Sequence, residues 1–285
     1  MTIGAAFLAR GSQLEFTPIV ARPIPFRLGA DDTYSTTTKK FGTASIYVGA
    51  DNSSPTGAGE SAGRGNAIES EPTTLLNLGT GDFTIECWVY PEDLSDSSDR
   101  FVIEGRAAET ETLAGSAWSV SIMEPAVGGG LRLGSCGGNY LTSDVTVQHT
   151  GANVTVNAWN HIAFTRSGTT LRSFINGNLC GTTSSFTSNL SVDSAYLNST
   201  GFLRPYPCLI MPSYTVGGVD GYIDSVKISN VARYTASFTI SNIGEAYNDA
   251  NSLFVWTCNQ VTAEDMTLWA IPPGYVQDSY VGTVA

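Results

Sequence analysis

The chain has 285 residues, enough for one large β-sandwich or two smaller domains with a substantial hydrophobic core. Hydrophobic residues make up 42% and charged residues only 14%, a balance that excludes disorder over the whole length and favours short strands and polar turns over long helices. The net charge of −12 would repel a polyanionic backbone, so no nucleic-acid partner is expected.

No apolar run approaches the roughly 20 residues that span a bilayer, and the opening MTIGAAFLARGSQLEF lacks a basic segment followed by a sustained apolar one. Neither membrane insertion nor general secretory export is expected. Residues 1–38 carry Pro18, Pro23 and Pro25 within the run TPIVARPIPFRLG, which forbids a helix and predicts an extended N-terminal arm. Its apolar residues, among them Phe7, Leu14, Phe16, Ile19, Ile24 and Phe26, are too many for a solvated linker. They are expected to attach the chain to other subunits of an assembly, copies of itself included; the competing reading is that the arm completes its own domain as an edge strand.

Residues 51–65, DNSSPTGAGESAGRG, have the composition of a flexible surface loop. From Phe83 the apolar period becomes two: Phe83, Ile85, Cys87 and Val89 point one way, Thr84, Glu86, Trp88 and Tyr90 the other, in a strand closed by Pro91. Further strands are predicted at 118–123, 131–134, 159–166, 171–175 and 222–228, and no segment has sustained helical periodicity. Asn176-Gly177 lies between two strand patterns and supplies the two positive φ angles of a type I′ hairpin turn.

Five widely separated cysteines, Cys87, Cys136, Cys180, Cys208 and Cys258, have no zinc spacing and fit free thiols in a reducing compartment. His161 alternates with apolar Ile162 and Phe164 and is expected to be a core or edge residue, while His149 has no supporting motif, so no triad is proposed. Asp224 shares parity with Tyr222, Val226 and Ile228, and a carboxylate on such a face must be satisfied, for instance by hydrogen bonds locking the strand to the turn that begins at Asn230. Glu86 is the lone acid of its strand; Glu92-Asp93 and Glu109/Glu111 fall in loop-like surroundings. Trp88, Tyr140, Tyr206 and Tyr214 are candidate stacking residues for a sugar, with packing or edge roles as the plainer reading.

The series KKFGTASIYV (39–48), LNLGTGDFTIECWVYP (76–91), NAWNHIAFTRSGTTLRSFINGNLCGT (157–182) and GYIDSVKISNVARYTASFT (221–239) resembles the laminin-G-like, concanavalin A-like jelly roll, particularly the version found in virion and tail proteins of bacteriophages. The resemblance implies an all-β fold of two antiparallel sheets of about six or seven strands packed face to face, with the chain ends close together. It divides the chain into an arm (1–38), a jelly roll (39–245) and a C-terminal segment (246–285) packed on the sandwich or a partner. Some members bind calcium at a loop rim, and Asp224 with Asp220 would be the ligands here, although no alternating Asp/Asn run supports a preformed cage; no other cofactor is implied. The glucanase branch uses alternating carboxylates on one strand face, a segment this chain lacks, so no enzyme activity is expected. The expected function is that of a non-enzymatic structural protein of a bacteriophage particle, a capsid decoration or tail-associated protein assembled in the host cytoplasm, displaying a lectin-like jelly roll to host-surface polysaccharide. The alternative is a free-standing carbohydrate-binding or adhesion module of a bacterial surface protein.

Overall fold

A computed structural model describes residues 24–27, 33–49, 68–70, 78–95, 99–106, 116–125, 129–135, 145–190, 208–210, 218–259 and 268–270. Sixteen strands are among them: β1 Ile24–Arg27, β2 Thr33–Ser35, β3 Ser45–Val48, β4 Ile68–Ser70, β5 Phe83–Asp93, β6 Arg100–Arg106, β7 Ser116–Ile122, β8 Leu131–Ser135, β9 Val145–His149, β10 Asn160–Ser167, β11 Thr170–Ile175, β12 Asn178–Thr183, β13 Cys208–Ile210, β14 Asp220–Ser229, β15 Ser252–Trp256 and β16 Leu268–Ala270. The described helical structure is one 3-10 turn, Ile240–Asn242, and no described helix is long and apolar enough to cross a membrane.

The strands form two antiparallel sheets. The first runs β16-β1-β4-β13-β6-β7-β8-β9; the second runs β12-β11-β10-β5-β14-β3-β2, with β15 continuing along β14 beyond β3. This is the all-β sandwich that the alternating patterns anticipate. Phe83, Ile85, Cys87 and Val89 of β5 face the first sheet, where Trp118, Val120, Ile122, Leu131 and Leu133 meet them in one continuous core. Asn176 and Gly177 both have positive φ, 51° and 79°, and Ile175 pairs with Asn178, as a type I′ hairpin requires.

The structure adds to or departs from the sequence reading at four places. Strand β5 runs through Pro91 to Asp93. The Pro91 carbonyl accepts the Asn157 amide on the β10 side, where the β5–β10 ladder has already ended at Val89–Asn160, so the missing proline N–H leaves no ladder acceptor unpaired. Within the expected arm, Ile24 and Phe26 lie in β1, which is paired on both edges inside the first sheet, and β2 pairs with β3. Phe7, Leu14, Phe16 and Ile19 lie outside the described residues, as does the loop 51–65. The C-terminal segment supplies a strand to each sheet, β15 and β16, and β15 buries Phe254, Val255 and Trp256. Finally, a bulge in β14 between Asp224 and Lys227, with Ser225 at φ +57°, resets the alternation: Ile223, Val226 and Ile228 all enter the core, while Asp224 points outward opposite Trp88. The sequence parity that placed Asp224 with Val226 and Ile228 fails at that one extra residue.

Residues 230–251 add a third layer. They cross back over the outer face of the second sheet, where Thr84 Oγ1 donates to the Val231 carbonyl (2.7 Å) and Thr165 Oγ1 to the Tyr234 carbonyl (2.7 Å). Phe238 N donates to the Gly177 carbonyl (2.9 Å), tying the strap to the hairpin tip, and Tyr234 stacks on Phe238 at 3.9 Å between ring centroids. Hence the middle of β5, β10 and β14 is buried on both faces.

Gly105 pairs with Trp118 across β6 and β7, and a Cβ there would lie 2.5 Å from Trp118 Cε2. Because Trp118 is fully buried and cannot move aside freely, Gly105→Ala is expected to destabilise the fold by about 1–3 kcal/mol, measured by denaturant unfolding. Gly244→Ala, which meets no atom within 4 Å, is the comparison and should stay within about 0.5 kcal/mol of wild type.

Candidate functional site

The outer face of the second sheet carries the polar and aromatic side chains that the core excludes. Register sets them in rows across the strands: His161, Trp88 and Asp224 in one, Glu86 and Lys227 in the next, Thr84 and Ser229 beyond. The strap closes over these rows and leaves a cavity of about 280 Å³ lined by Glu86, Trp88, His161, Lys227, Arg233, Tyr234, Glu245 and Tyr247.

Glu86 lies at the centre of the buried network. Its Oε2 accepts from Tyr234 Oη (2.6 Å) and His161 Nε2 (3.1 Å), and Arg233 Nε lies 3.8 Å from Oε1. Burial alone would push the Glu86 carboxyl up; the His161 hydrogen bond and charge, the Tyr234 hydroxyl and the Arg233 guanidinium outweigh it and hold the carboxyl below its ordinary range. Burial and the Glu86 charge push the Tyr234 hydroxyl far up, so it stays a donor. Arg233 Nη2 also donates to both Asp249 oxygens (2.9 Å to Oδ1, 2.8 Å to Oδ2), and its Nε donates to Ser229 Oγ (2.7 Å). Lys227 donates to Asp249 (3.0 Å) with its ammonium 4.1 Å from the centre of the Tyr247 ring. Tyr247 is 62% exposed and marks the solvent side of the cavity.

Asp224 is fully buried, with Oδ2 accepting the backbone amides of Lys40 and Phe41, both at 3.0 Å. It therefore pins the loop before β3, while the Asn230 turn it was expected to hold is fixed by Thr84, Arg233 and Ser229. Burial pushes the Asp224 carboxyl up to about 7, the two amides opposing and Glu245 adding to the rise. Asp220 lies four residues earlier on β14, half-buried, and accepts the Tyr47 hydroxyl at 3.1 Å. No group of three or more His, Cys, Asp or Glu side chains among the described residues is placed to share a metal ion.

His149 bridges the sheets at their far corner: Nδ1 bonds Ser173 Oγ (2.7 Å), Nε2 bonds Thr183 Oγ1 (3.0 Å), and the ring stacks on Phe164. Cys87, Cys180 and Cys258 are buried free thiols whose pKa values burial raises. Of the four candidate stacking residues, Trp88 is buried beneath Lys40, whose ammonium sits 4.0 Å over its ring; Tyr140, Tyr206 and Tyr214 lie outside the described residues.

A different aromatic row escaped the sequence reading. Where the strap ends, Trp159, Tyr90, Tyr222 and Tyr47 run across the outer face on the β10 side, β5, β14 and β3 in turn, with centroid separations of 5.7, 5.6 and 5.1 Å. All four are half-buried, unlike the sealed residues of the neighbouring rows. The outward parity of Tyr90 was legible, but the strand pairing that aligns it with Tyr222 and Tyr47 was not.

Two outcomes follow from the network. Glu86→Ala leaves Tyr234, His161 and Arg233 facing an unpaired site, and is expected to cost about 3–5 kcal/mol in denaturant unfolding, against about 1.5–3 kcal/mol for Tyr234→Phe. The raised Asp224 carboxyl favours its neutral form in the folded chain, so its contribution is complete below about pH 4, the unfolded value, and is lost as pH rises through about 7. Its contribution should fall between pH 5 and pH 8 by on the order of 3 kcal/mol, read as the difference between wild-type and Asp224→Asn unfolding measured across that range.

The profile of the concanavalin A-like lectin/glucanases superfamily matches residues 62–237. No curated protein matches the chain. Among solved structures it is similar to domain 4 of AbnA, an extracellular arabinanase from Geobacillus stearothermophilus solved with arabinotriose, at 14% identity and a TM-score of 0.47, covering 72% of this chain and 77% of that one. It is also similar to the binding domain of botulinum neurotoxin serotype D, at 11% identity and a TM-score of 0.45, covering 74% of this chain and 44% of that one. The family profile spans well over half of the residues and runs from before β4 through the central strands to the start of the strap, so the chain belongs to the concanavalin A-like lectin/glucanase superfamily.

Proposed function

We propose that the chain is a non-enzymatic, lectin-like jelly roll that binds polysaccharide, carried on a bacteriophage particle as a capsid-decoration or tail-associated protein. The observation that carries the binding reading is the outer face of the second sheet, where a row of half-buried aromatic rings sits on rigid strands beyond the strap. Hydrolysis of a glycosidic bond needs one carboxyl that gives a proton and a second that attacks or activates water. Glu86 is held ionised by three partners and is poorly suited to the acid role, and Glu245 is bound to the Asn259 side-chain amide. Both carboxylates facing the cavity are thus tied into the fold, which favours recognition over catalysis. Buried free thiols and an acidic, weakly charged chain suit assembly in a reducing cytoplasm, and Phe7, Leu14, Phe16 and Ile19 supply apolar side chains for attachment to the particle.

Titration calorimetry of the full chain against a panel of soluble polysaccharides is expected to give saturable binding without new reducing ends. Release of reducing ends that disappears in Glu86→Gln would contradict the non-enzymatic reading. The particle assignment is tested by deleting residues 1–23, which leaves β1 intact: the deleted protein should fold and melt as the full chain does yet be lost from purified particles. Unchanged incorporation would contradict attachment through these residues.

A further inference from the structure

We propose that the row Trp159, Tyr90, Tyr222 and Tyr47 is the polysaccharide-contacting surface, and that its ligand is a neutral, hydroxyl-rich chain of sugar rings laid across the strands; this rests on the polysaccharide reading above and places and narrows it. The row is a product of register. Tyr90 lies opposite Tyr222, and Tyr222 opposite Tyr47, so three adjacent strands present one aromatic ring each at the same height. Strands lie about 4.8 Å apart, and the ring centroids step by 5.1–5.7 Å, so the rings form a continuous ladder perpendicular to the strand direction. Trp159, immediately before β10, extends it by one ring.

The exposure pattern gives the row its meaning. One row away Trp88, His161 and Asp224, and two rows away Glu86, are buried beneath the strap and the loop at Lys40–Phe41. The strand centres of β5, β10 and β14 are buried on both faces, and the burial is relieved at Tyr90 and Tyr222. Adjacent rings meet at 67°, 85° and 53°, so neighbouring rings are turned against one another rather than stacked flat. Ring faces attract the apolar C–H surface of a sugar, and the tyrosine hydroxyls exchange hydrogen bonds with its OH groups.

Charge fixes the ligand class. The carboxylates of Asp220, which accepts the Tyr47 hydroxyl, and Glu92 stand beside the row; burial first, then these, push that hydroxyl up to about 12, so it stays un-ionised. Asp93 lies opposite Asp220 at the same end of β14. Carboxylates beside the row accept sugar hydroxyls but repel uronates, sulfates and phosphates, as does the net charge of −12.

The test uses the full chain with neutral probes (dextran, galactomannan and xyloglucan) and anionic ones (alginate and polygalacturonate), read by affinity electrophoresis and calorimetry. At least one neutral probe should bind the wild type while the anionic probes do not. Tyr222→Ala and Trp159→Ala should each weaken that binding by about tenfold, Tyr222→Phe should keep most of it, and thermal melts should show each variant folded. Trp159 precedes its strand, so its variant reports on binding even if Tyr222→Ala proves unstable. Neutral binding that survives both alanine variants overturns the ladder and leaves the polysaccharide reading standing. Preference for the anionic probes overturns the ligand class. A wild type that binds none of the probes overturns the polysaccharide reading itself.

Discussion

The buried carboxylate of Glu86 organises the outer face of the second sheet. A charge at that depth is costly unless it is paired and hydrogen-bonded, and the chain supplies three partners from two places: His161 from the neighbouring strand, and Tyr234 and Arg233 from the segment that follows β14. Two of those three partners belong to the strap. The strap is therefore held over the sheet by the need to satisfy Glu86, and Arg233 passes the constraint on to Asp249 and through it to Lys227. The stacked rings of Tyr234 and Phe238 then pack on Phe174 and His161, and make the polar anchor part of a small aromatic core.

A sandwich closed in this way has one sheet buried on both faces at its centre, and function is left to whatever the third layer does not cover. The uncovered part is defined by two pins. The strap ends its cover near Ala246, whose amide donates to Ser225 Oγ at the bulge, and the loop at Lys40–Phe41 is held by Asp224 on the other side of that bulge. The same loop continues to Thr43, whose amide donates to Asn259, so segments from near the two ends of the chain are fastened together beside the site. The half-buried rings of Tyr90, Tyr222 and Tyr47 begin where these covers stop.

Much of the core was legible because it rests on local alternation. Phe83, Ile85, Cys87 and Val89 point inward as their period requires, and the turn at Asn176-Gly177 has the two positive φ angles its residue pair suggests. The bulge at Ser225 was not legible: a single extra residue leaves no mark on composition, yet it moved Asp224 from an apolar face to the outer one. Strands as short as β2, β4, β13 and β16 carry too few residues to show a period at all, and their existence depends on pairing with distant segments. Glu86 could be read as the lone outward acid of its strand, but nothing in the sequence placed the strap that buries it. The aromatic ladder was hidden because its rings come from distant parts of the chain and only register aligns them, Tyr47 and Tyr222 lying 175 positions apart.

The proposed function requires that the strap seal one half of the outer face and that the other half hold a neutral glycan. A crystal structure of the full chain soaked with a neutral oligosaccharide, cut from whichever probe binds, tests it most directly. The account predicts sugar rings against Trp159, Tyr90 and Tyr222, with the Glu86 network and the strap unmoved. Sugar bound instead on the first sheet, or in the cavity over Glu86 with Tyr234 displaced, would contradict it.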